Sequence, residues 1–224
     1  MLLEESAKFC PGCGYSIILM MLNQVLLSQK LQTKAVLGLD IGCSLLGWNY
    51  LPVNTFQTHH GRVVSTMLGY KRAQKDSVSL ALVGDGGAYA IGWQGLFYAA
   101  RRDEPVTVIV VNNTVYAMTG GQTAPTTPCG QRTSTAPVGC ADKPFQGPEF
   151  LKNVIQPGAF LARVAVNDPK AVVSALEKTL AAQQAGHFSL VEILSVCPTN
   201  WRTVGKATFD YLEKLKKVYP LGEF

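Results

Sequence analysis

Two groups of residues in this chain have the types and spacing for chemistry. The first is Gly84-Asp85-Gly86 together with Asn112-Asn113. Each follows an apolar run that reads as a β-strand, Val78 to Val83 and Val106 to Val111. Residues just past neighbouring parallel strands face one crevice. Mg²⁺ takes oxygen ligands in an octahedron and usually pairs one or two carboxylates with phosphate oxygens. Asp85 supplies the carboxylate, Asn113 an amide oxygen, and a backbone carbonyl shortly after Asn113 can add a third ligand. Gly84 and Gly86 let the backbone turn tightly and approach a diphosphate, with amides at the following helix start available to its oxygens. Gly-Asp-Gly by itself is equally an ordinary turn. The Asn pair on a second strand end is what favours a metal–diphosphate site.

The second group is four of the six cysteines. Cys10 and Cys13 flank a Pro-Gly turn in Phe9-Cys-Pro-Gly-Cys-Gly14, so both thiolates can point at one metal centre. Cys43 follows the first predicted strand and Cys197 the last, on the same sheet edge as Asp85. Four such thiolates suit a zinc ion or a [4Fe–4S] cluster. One close pair with two distant single cysteines leans toward the cluster, because structural zinc more often uses two close pairs. Cys129 and Cys140 fall in a loop and read as incidental. His59 and His187 read as packing or surface residues.

The elements that must position these groups alternate between strand and helix. Strands are expected at Ala35 to Asp40, Val78 to Val83, Val106 to Val111, Phe160 to Val166 and Ser189 to Val196. The Val106 run is apolar except for Thr107, which implies burial on both faces, as in a central parallel strand. Arg62 to Lys75 reads as a helix with Val63, Met67, Tyr70 and Ala73 on one side. Ile91 to Arg102 reads as another, with Ile91, Gly95, Phe97, Tyr98 and Ala99 inward. Asp168 caps a third, Pro169 takes its first turn, Val172, Val173, Leu176 and Leu180 form its stripe, and Gly186 ends it. Gly205 to Val218 reads as a C-terminal helix with Phe209, Leu212 and Leu215 on one side. Gly120 to Pro148, rich in Gly, Pro and Thr, reads as a long loop, a length usually tied to function or disorder. The pattern predicts an α/β fold: an open, mostly parallel sheet with helices on both faces. One domain over residues 1–224 is expected, with an N-terminal CxxC segment and a C-terminal helical tail.

The chain has 224 residues, is 47% hydrophobic and 16% charged, and carries a net charge of +5. That is an ordinary globular balance. No basic stripe interleaves with aromatics, so nucleic acid is not an expected partner. The stretch from Ile17 to Leu27 is broken by Asn23 and Gln24 and is too short to span a membrane. No secretory signal is expected in the polar, acidic start from Met1 to Lys8. A cytoplasmic protein is expected, where six cysteines do not form a disulfide framework. A nicotinamide-binding Rossmann domain is excluded, because no strand near the start leads into Gly-x-Gly-x-x-Gly.

Taken together, the motifs resemble those of the β (thiamine diphosphate-binding) subunits of the 2-oxoacid:ferredoxin oxidoreductases. They are CPGCG at Cys10 to Gly14, IGCS at Ile41 to Ser44, HGR at His60 to Arg62, GDG at Gly84 to Gly86, NNTVYAMTGGQTAPTT from Asn112 to Thr127, and CPTNW from Cys197 to Trp201. They cover nearly the whole chain in family order. The chain is most similar to the short β subunits of the 2-oxoisovalerate or 2-oxoglutarate type, which work with separate chains. The closing Tyr219-Pro-Leu-Gly222 fits that group.

The resemblance implies a thiamine diphosphate-binding fold, its pyrophosphate-binding domain. It implies Mg²⁺ on Asp85, Asn113 and the carbonyl of Val115. It implies a [4Fe–4S] cluster on Cys10, Cys13, Cys43 and Cys197. Ile41, Gly42, Cys43, Ser44 and His60 would lie along the cofactor, Gly86 and Gly87 would contact its diphosphate, and Ala117 and Met118 would continue that contact. Arg62 is open between a cofactor or substrate contact and a structural ion pair. The implied reaction is oxidative decarboxylation of a 2-oxoacid to acyl-coenzyme A, with electrons passed to ferredoxin. The Glu that activates thiamine would sit on an α subunit, which carries the aminopyrimidine-binding domain, alongside γ and δ subunits. The sequence departs from the family at Gly87, often acidic in relatives, at Ala117, commonly Gly, and at Gly120, where some relatives carry a Lys linked to coenzyme A. Two rival readings remain at this level: a non-oxidative thiamine-dependent decarboxylase subunit, and a zinc-stabilised interaction module without catalysis.

Overall fold

The structure is a computed structural model that describes residues 8–224; the polar start over residues 1–7 lies outside the described residues. Among the described residues the chain opens with helix α1 (Gly14–Ser28), strand β1 (Ala35–Leu39) and edge strand β2 (Asn54–Gln57). Helix α2 (Val63–Ala73), strand β3 (Val78–Gly84), helix α3 (Trp93–Arg101) and strand β4 (Thr107–Asn112) follow. A two-stranded ladder, β5 (Val115–Tyr116) with β6 (Gln122–Thr123), leads into the long loop and the short helix α4 (Gly147–Leu151). Then come β7 (Phe160–Ala165), α5 (Pro169–Gln184), β8 (Ser189–Leu194), α6 (Pro198–Trp201), α7 (Lys206–Val218) and β9 (Gly222–Glu223).

The main sheet has the order β2-β1-β3-β4-β8-β7-β9. Every neighbouring pair is parallel except β7 with the short terminal β9. This is the open parallel α/β sheet that the alternation of elements predicts. Successive side chains of a strand point to opposite faces, so a strand covered on both sides is apolar throughout. Leu80, Leu82, Ile109 and Val111 join the core beneath α1, α5 and α7. Ala81, Val83, Val108 and Val110 join the other core, with Val63, Met67, Leu96 and Ala99 of α2 and α3. From β1 the chain moves outward to β2 and returns past β1 to β3. The loops leaving β1 and β3 therefore diverge, which opens a crevice at their carboxyl ends.

Besides the short β5, β6, α4, α6 and β9, the structure adds two longer elements to those expected, α1 and β2. Helix α1 is apolar nearly all round, with Ile18, Leu19, Leu22, Val25 and Leu26 buried. Strand β2 lies at the sheet edge, and its half-exposed residues carry no alternating pattern. The cap of α5 is as expected: Asp168 Oδ1 accepts from Ala171 N at 3.1 Å.

Three helix faces differ from expectation. In α3, Leu96, Ala99 and Ala100 point inward, whereas Tyr98, and Ile91 in the turn before the helix, are exposed. The cause is a wide turn over Gly87–Ile91, closed by a bond from Gly92 N to Gly87 O at 2.8 Å, which adds a residue and rotates the helix that follows. In α7, Thr208, Leu212 and Leu215 are buried, and Phe209 is exposed. In α2, Ala73 is exposed at the helix end, beyond the reach of the sheet.

The segment from Gly120 to Pro148 is held by its own hydrogen bonds. Ser134 N donates to Gly121 O, Gly130 N to Cys140 O, Cys140 N to Gln131 O, and Phe145 N to Pro125 O. Among the described residues no helix is long and apolar enough to cross a membrane.

Candidate cofactor site

A cavity of about 310 Å³ opens at the carboxyl ends of β1, β3 and β4. Each residue expected along the cofactor or around Mg²⁺ lines it: Ile41, Gly42, Cys43, Ser44, His60, Asp85, Gly86, Gly87, Asn113, Val115, Ala117 and Met118. Tyr15, Gly84, Tyr116 and Thr119 complete the wall. Residues far apart in sequence thus converge because three parallel strands end on one edge.

Asp85 follows β3 directly in a buried position, and the hydroxyl of Thr126 donates to its Oδ2. Burial pushes the carboxyl up to about 7, against the pull of Thr126 and with the push of Glu192. A carboxylate so desolvated suits a cation at its free lone pairs. Asn113 is held in place on both sides. Its side-chain oxygen accepts from Val115 N at 3.2 Å, and its backbone carbonyl accepts from Trp201 Nε1 at 3.0 Å. An amide oxygen has two lone pairs, so one remains for a metal.

Asn112 does something different from its neighbour. It is fully buried beneath the cavity. Its Oδ1 accepts from Thr114 N at 3.1 Å, which supports the left-handed backbone of Thr114 at φ 66°. Its Nδ2 donates to Glu192 Oε1 at 3.1 Å. Glu192, buried on β8, also accepts from Arg163 Nε at 2.7 Å and from the Tyr89 hydroxyl. Arg163 in turn forks onto Glu149 at 2.5 and 2.7 Å. Its guanidinium lies 5.3 Å from the ring centres of both Tyr219 and Phe224. A buried polar network therefore stands directly behind the Asn pair.

The glycines act through packing. Gly86 has φ −63° and ψ −37°, ordinary helical values, so the turn itself does not require glycine. A Cβ there would come within 2.1 Å of the Tyr116 ring. A Cβ on Gly87 would come within 2.3 Å of Asp40 Oδ2. The two glycines keep the cavity floor thin. Asp40 was not among the expected residues. It is fully buried, accepts from Gly61 N at 2.6 Å and faces His60 Nδ1 at 3.1 Å. Its backbone carbonyl accepts from Ser44 Oγ at 3.0 Å. The same signal that marks Asp85, a carboxylate at a strand's carboxyl end, would have found it.

The four cysteines line a second cavity of about 310 Å³, which shares Cys43, Asn113, Ala117 and Met118 with the first. Cys13 N donates to Cys10 O at 3.0 Å across the Pro-Gly turn, where Gly12 has φ 76°. Gly14 N bonds Val196 O at 3.4 Å, and a Cβ on Gly14 would lie 2.1 Å from Ser195 Oγ. That close approach brings the CxxC turn to Cys197, whose sulfur accepts from Asn200 Nδ2 at 3.3 Å. Burial, with a smaller push from the neighbouring cysteines, raises the Cys13 thiol to about 11 and Cys43 to about 12. Such thiols are unreactive when unligated and lose their protons to a bound metal. Among the described residues no three His, Cys, Asp or Glu side chains converge on a point that would hold a single metal ion. The four cysteines share one cavity wall without meeting at a single point.

The remaining candidates lie elsewhere. Cys129 is exposed, Cys140 is buried in the long loop, and neither lines these cavities. His59 is exposed, and His187 bonds Asp103 at 2.7 Å. Arg62 is exposed at the start of α2.

Comparison with known proteins agrees with this geometry. Residues 40–193 match the family described as thiamine pyrophosphate enzyme, C-terminal TPP binding domain. The chain is 36% identical to the 2-oxoglutarate synthase subunit KorB of Archaeoglobus fulgidus, over 93% of this chain and 75% of that protein. It is also 36% identical to the ketoisovalerate oxidoreductase subunit VorA of Methanothermobacter thermautotrophicus, over 98% of this chain and 48% of that protein. The chain thus spans about half the length of that relative. A solved 2-oxoglutarate:ferredoxin oxidoreductase from Magnetococcus marinus, with 2-oxoglutarate, coenzyme A and succinyl-CoA bound, superimposes with a TM-score of 0.82. It has 26% identity, over 96% of this chain and 71% of that one. On these grounds the chain belongs to the thiamine pyrophosphate-binding enzymes, among the subunits of the 2-oxoacid:ferredoxin oxidoreductases.

Proposed function

We propose that this chain is the β subunit of a cytoplasmic, coenzyme A-dependent 2-oxoacid:ferredoxin oxidoreductase, built as one domain over residues 1–224. The observation that carries the proposal is the shared wall. A cavity ringed by Cys10, Cys13, Cys43 and Cys197 abuts the Asp85 cavity through Cys43, Asn113, Ala117 and Met118. A non-oxidative decarboxylase has no use for that arrangement.

Bound thiamine diphosphate supplies a carbon nucleophile for the 2-oxoacid carbonyl and a ring that takes up the electrons left by decarboxylation. The chain's own residues bind and orient it. Asp85, Asn113 and the Val115 carbonyl hold Mg²⁺, whose charge answers the buried Asp85 carboxylate. The amides of Gly86 and Gly87 open the wide turn before α3 and meet the diphosphate oxygens. Ile41 to Ser44, His60, Ala117 and Met118 line the walls along the cofactor. The four cysteines would hold a [4Fe–4S] cluster, and Cys43, next to Ser44, lines both cavities. The activating Glu comes from an α subunit, so the isolated chain is inactive. Coenzyme A takes the acyl group, ferredoxin takes the electrons, and γ and δ subunits complete the assembly.

The test is anaerobic purification of the complex with its partner subunits. Iron and thiamine diphosphate are assayed, and turnover is followed on a panel of 2-oxoacids with coenzyme A and a viologen acceptor. A brown protein that reduces viologen only with a 2-oxoacid is the expected result. A colourless, iron-free complex that still decarboxylates would refute the oxidoreductase assignment. Sustained turnover by the chain alone would refute the partner requirement.

A further inference from the structure

Asp40 puts a fully buried carboxylate against the floor of the cofactor cavity, with its Oδ2 under Gly87. A diphosphate resting on Gly86 and Gly87 would meet that charge through one layer of backbone, and like charges so placed repel. His60 stands beside both. Its Nδ1 lies 3.1 Å from Asp40 Oδ2 and 3.1 Å from the carbonyl oxygen of Ile41. A carbonyl oxygen only accepts, so Nδ1 carries a proton. The side chain lines the cavity and is 35% exposed, and Nε2 has no hydrogen-bond partner among the described residues. An ionised diphosphate oxygen also only accepts. Nε2 bonds to it only when it carries a proton too.

Resting on the proposed diphosphate site, we infer that thiamine diphosphate binding draws one proton from solvent onto His60, and that Asp40 is the positioning residue that holds the resulting imidazolium against the diphosphate. The proton bonds to Nε2, the Nδ1 proton stays toward Asp40, and no other bond changes. The ring then lies as a cation between two anions.

The groups around His60 leave this role to it. Asp40 faces it from the end of β1, and burial pushes the Asp40 carboxyl up while His60 and the amides of Gly61 and Arg62 pull it back. Tyr116 faces it edge-on at 6.0 Å, and burial and Asp85 push its hydroxyl up, so it stays neutral. Cys43 and Asp85 line the same cavity, and His59 and Arg62 flank it on its own segment, both exposed.

The complex reconstituted with its partner subunits and stripped of cofactor is titrated with thiamine diphosphate and Mg²⁺ by calorimetry. The titration is run at pH ~8, where an ordinary imidazole is uncharged, in buffers of different ionisation enthalpy. The dependence of the heat on the buffer counts the protons taken up. Wild type is expected to take up about one proton more than His60→Gln, which keeps an N–H donor but cannot gain a proton. Asp40→Asn is expected to take up less and to bind roughly 10- to 100-fold more weakly, as a lost charge-assisted bond does. Undiminished uptake in His60→Gln puts the proton on another group, Asp40 included, and overturns the inference. Binding by wild type without excess uptake also overturns it and leaves the diphosphate site standing. No binding by wild type removes the site reading itself, and the inference with it. If Asp40→Asn does not fold, His60→Gln, at a part-exposed position, decides alone.

Discussion

Replacing Arg163 with Met tests how much of this fold depends on the network behind the Asn pair. Arg163 is fully buried and makes three short bonds to carboxylates, at 2.7 Å to Glu192 and at 2.5 and 2.7 Å to Glu149. Burial alone would lower its guanidinium, but the two glutamates more than reverse this and hold it charged. Removing one partner of a buried pair leaves a buried charge uncompensated and costs about 3–5 kcal/mol. Here the stranded charge is Glu192, which has no exposed side-chain surface; Glu149 keeps 24% exposure and suffers less. A chain whose whole stability is about 5–15 kcal/mol would lose a large part of it. Urea unfolding measures this as a drop in midpoint at unchanged slope. The exposed Lys178–Glu223 pair, at 2.5 Å, is the control, and Lys178→Ala should cost about 0–1 kcal/mol. Adding Glu192→Gln to Arg163→Met should restore part of the loss, because the stranded charge is gone while an oxygen remains for Asn112. A loss below about 1 kcal/mol in Arg163→Met, or no recovery in the double variant, would refute the reasoning.

Four further outcomes are expected. Gly87→Ala drives a methyl to within 2.3 Å of Asp40 Oδ2 and 2.9 Å of Val83, so thiamine diphosphate retention should fall at least about tenfold while the circular dichroism spectrum is kept. Cys43→Ala should lose iron from the anaerobically purified complex, whereas Cys129→Ala should keep it; equal iron in both would count against the cysteine ring. Asp85→Asn should abolish Mg²⁺-dependent cofactor retention yet leave the metal-free chain at least as stable, since a buried charge is removed; thermal unfolding with and without Mg²⁺ reads both. Tyr211, bonded to Gln131 at 2.8 Å, is pushed up to about 12 by burial. A group raised on folding contributes stability that is present below its unfolded value, near 10, and is lost as pH rises through the folded one. Alkaline unfolding should therefore steepen between pH ~10 and ~12, and Tyr211→Phe should flatten that window.

Much of the sheet was legible because its central strands are apolar runs broken only by Ser79 and Thr107. Val78 to Val83 and Val106 to Val111 have no alternation to misread, since both faces are covered. Helix faces were less legible. The expected face of α3 is turned because one extra residue in the wide turn at Gly87–Ile91 shifts every later residue around the axis. Phe209 shows the same limit: apolar type alone does not place a residue inward, and Thr208 takes the buried position beside it. Strand β2 carries no pattern because an edge strand needs none.

The candidate chemistry-bearing residues are legible in the sequence itself. Asp85, Asn113 and the four cysteines are rare types at strand ends and in a tight turn, and local rules suffice to mark them. What surrounds them was decided by tertiary structure alone. Asp40 becomes a partner of His60 only when the loop after β2 folds back over the end of β1. Asn112 parts company with Asn113 only because Glu192, from a strand distant in sequence, stands behind it. The CxxC turn reaches Cys197 only because Gly14 lets the start of α1 press against the end of β8. Such roles depend on distances between segments remote in the chain, and no local pattern of residues encodes those distances.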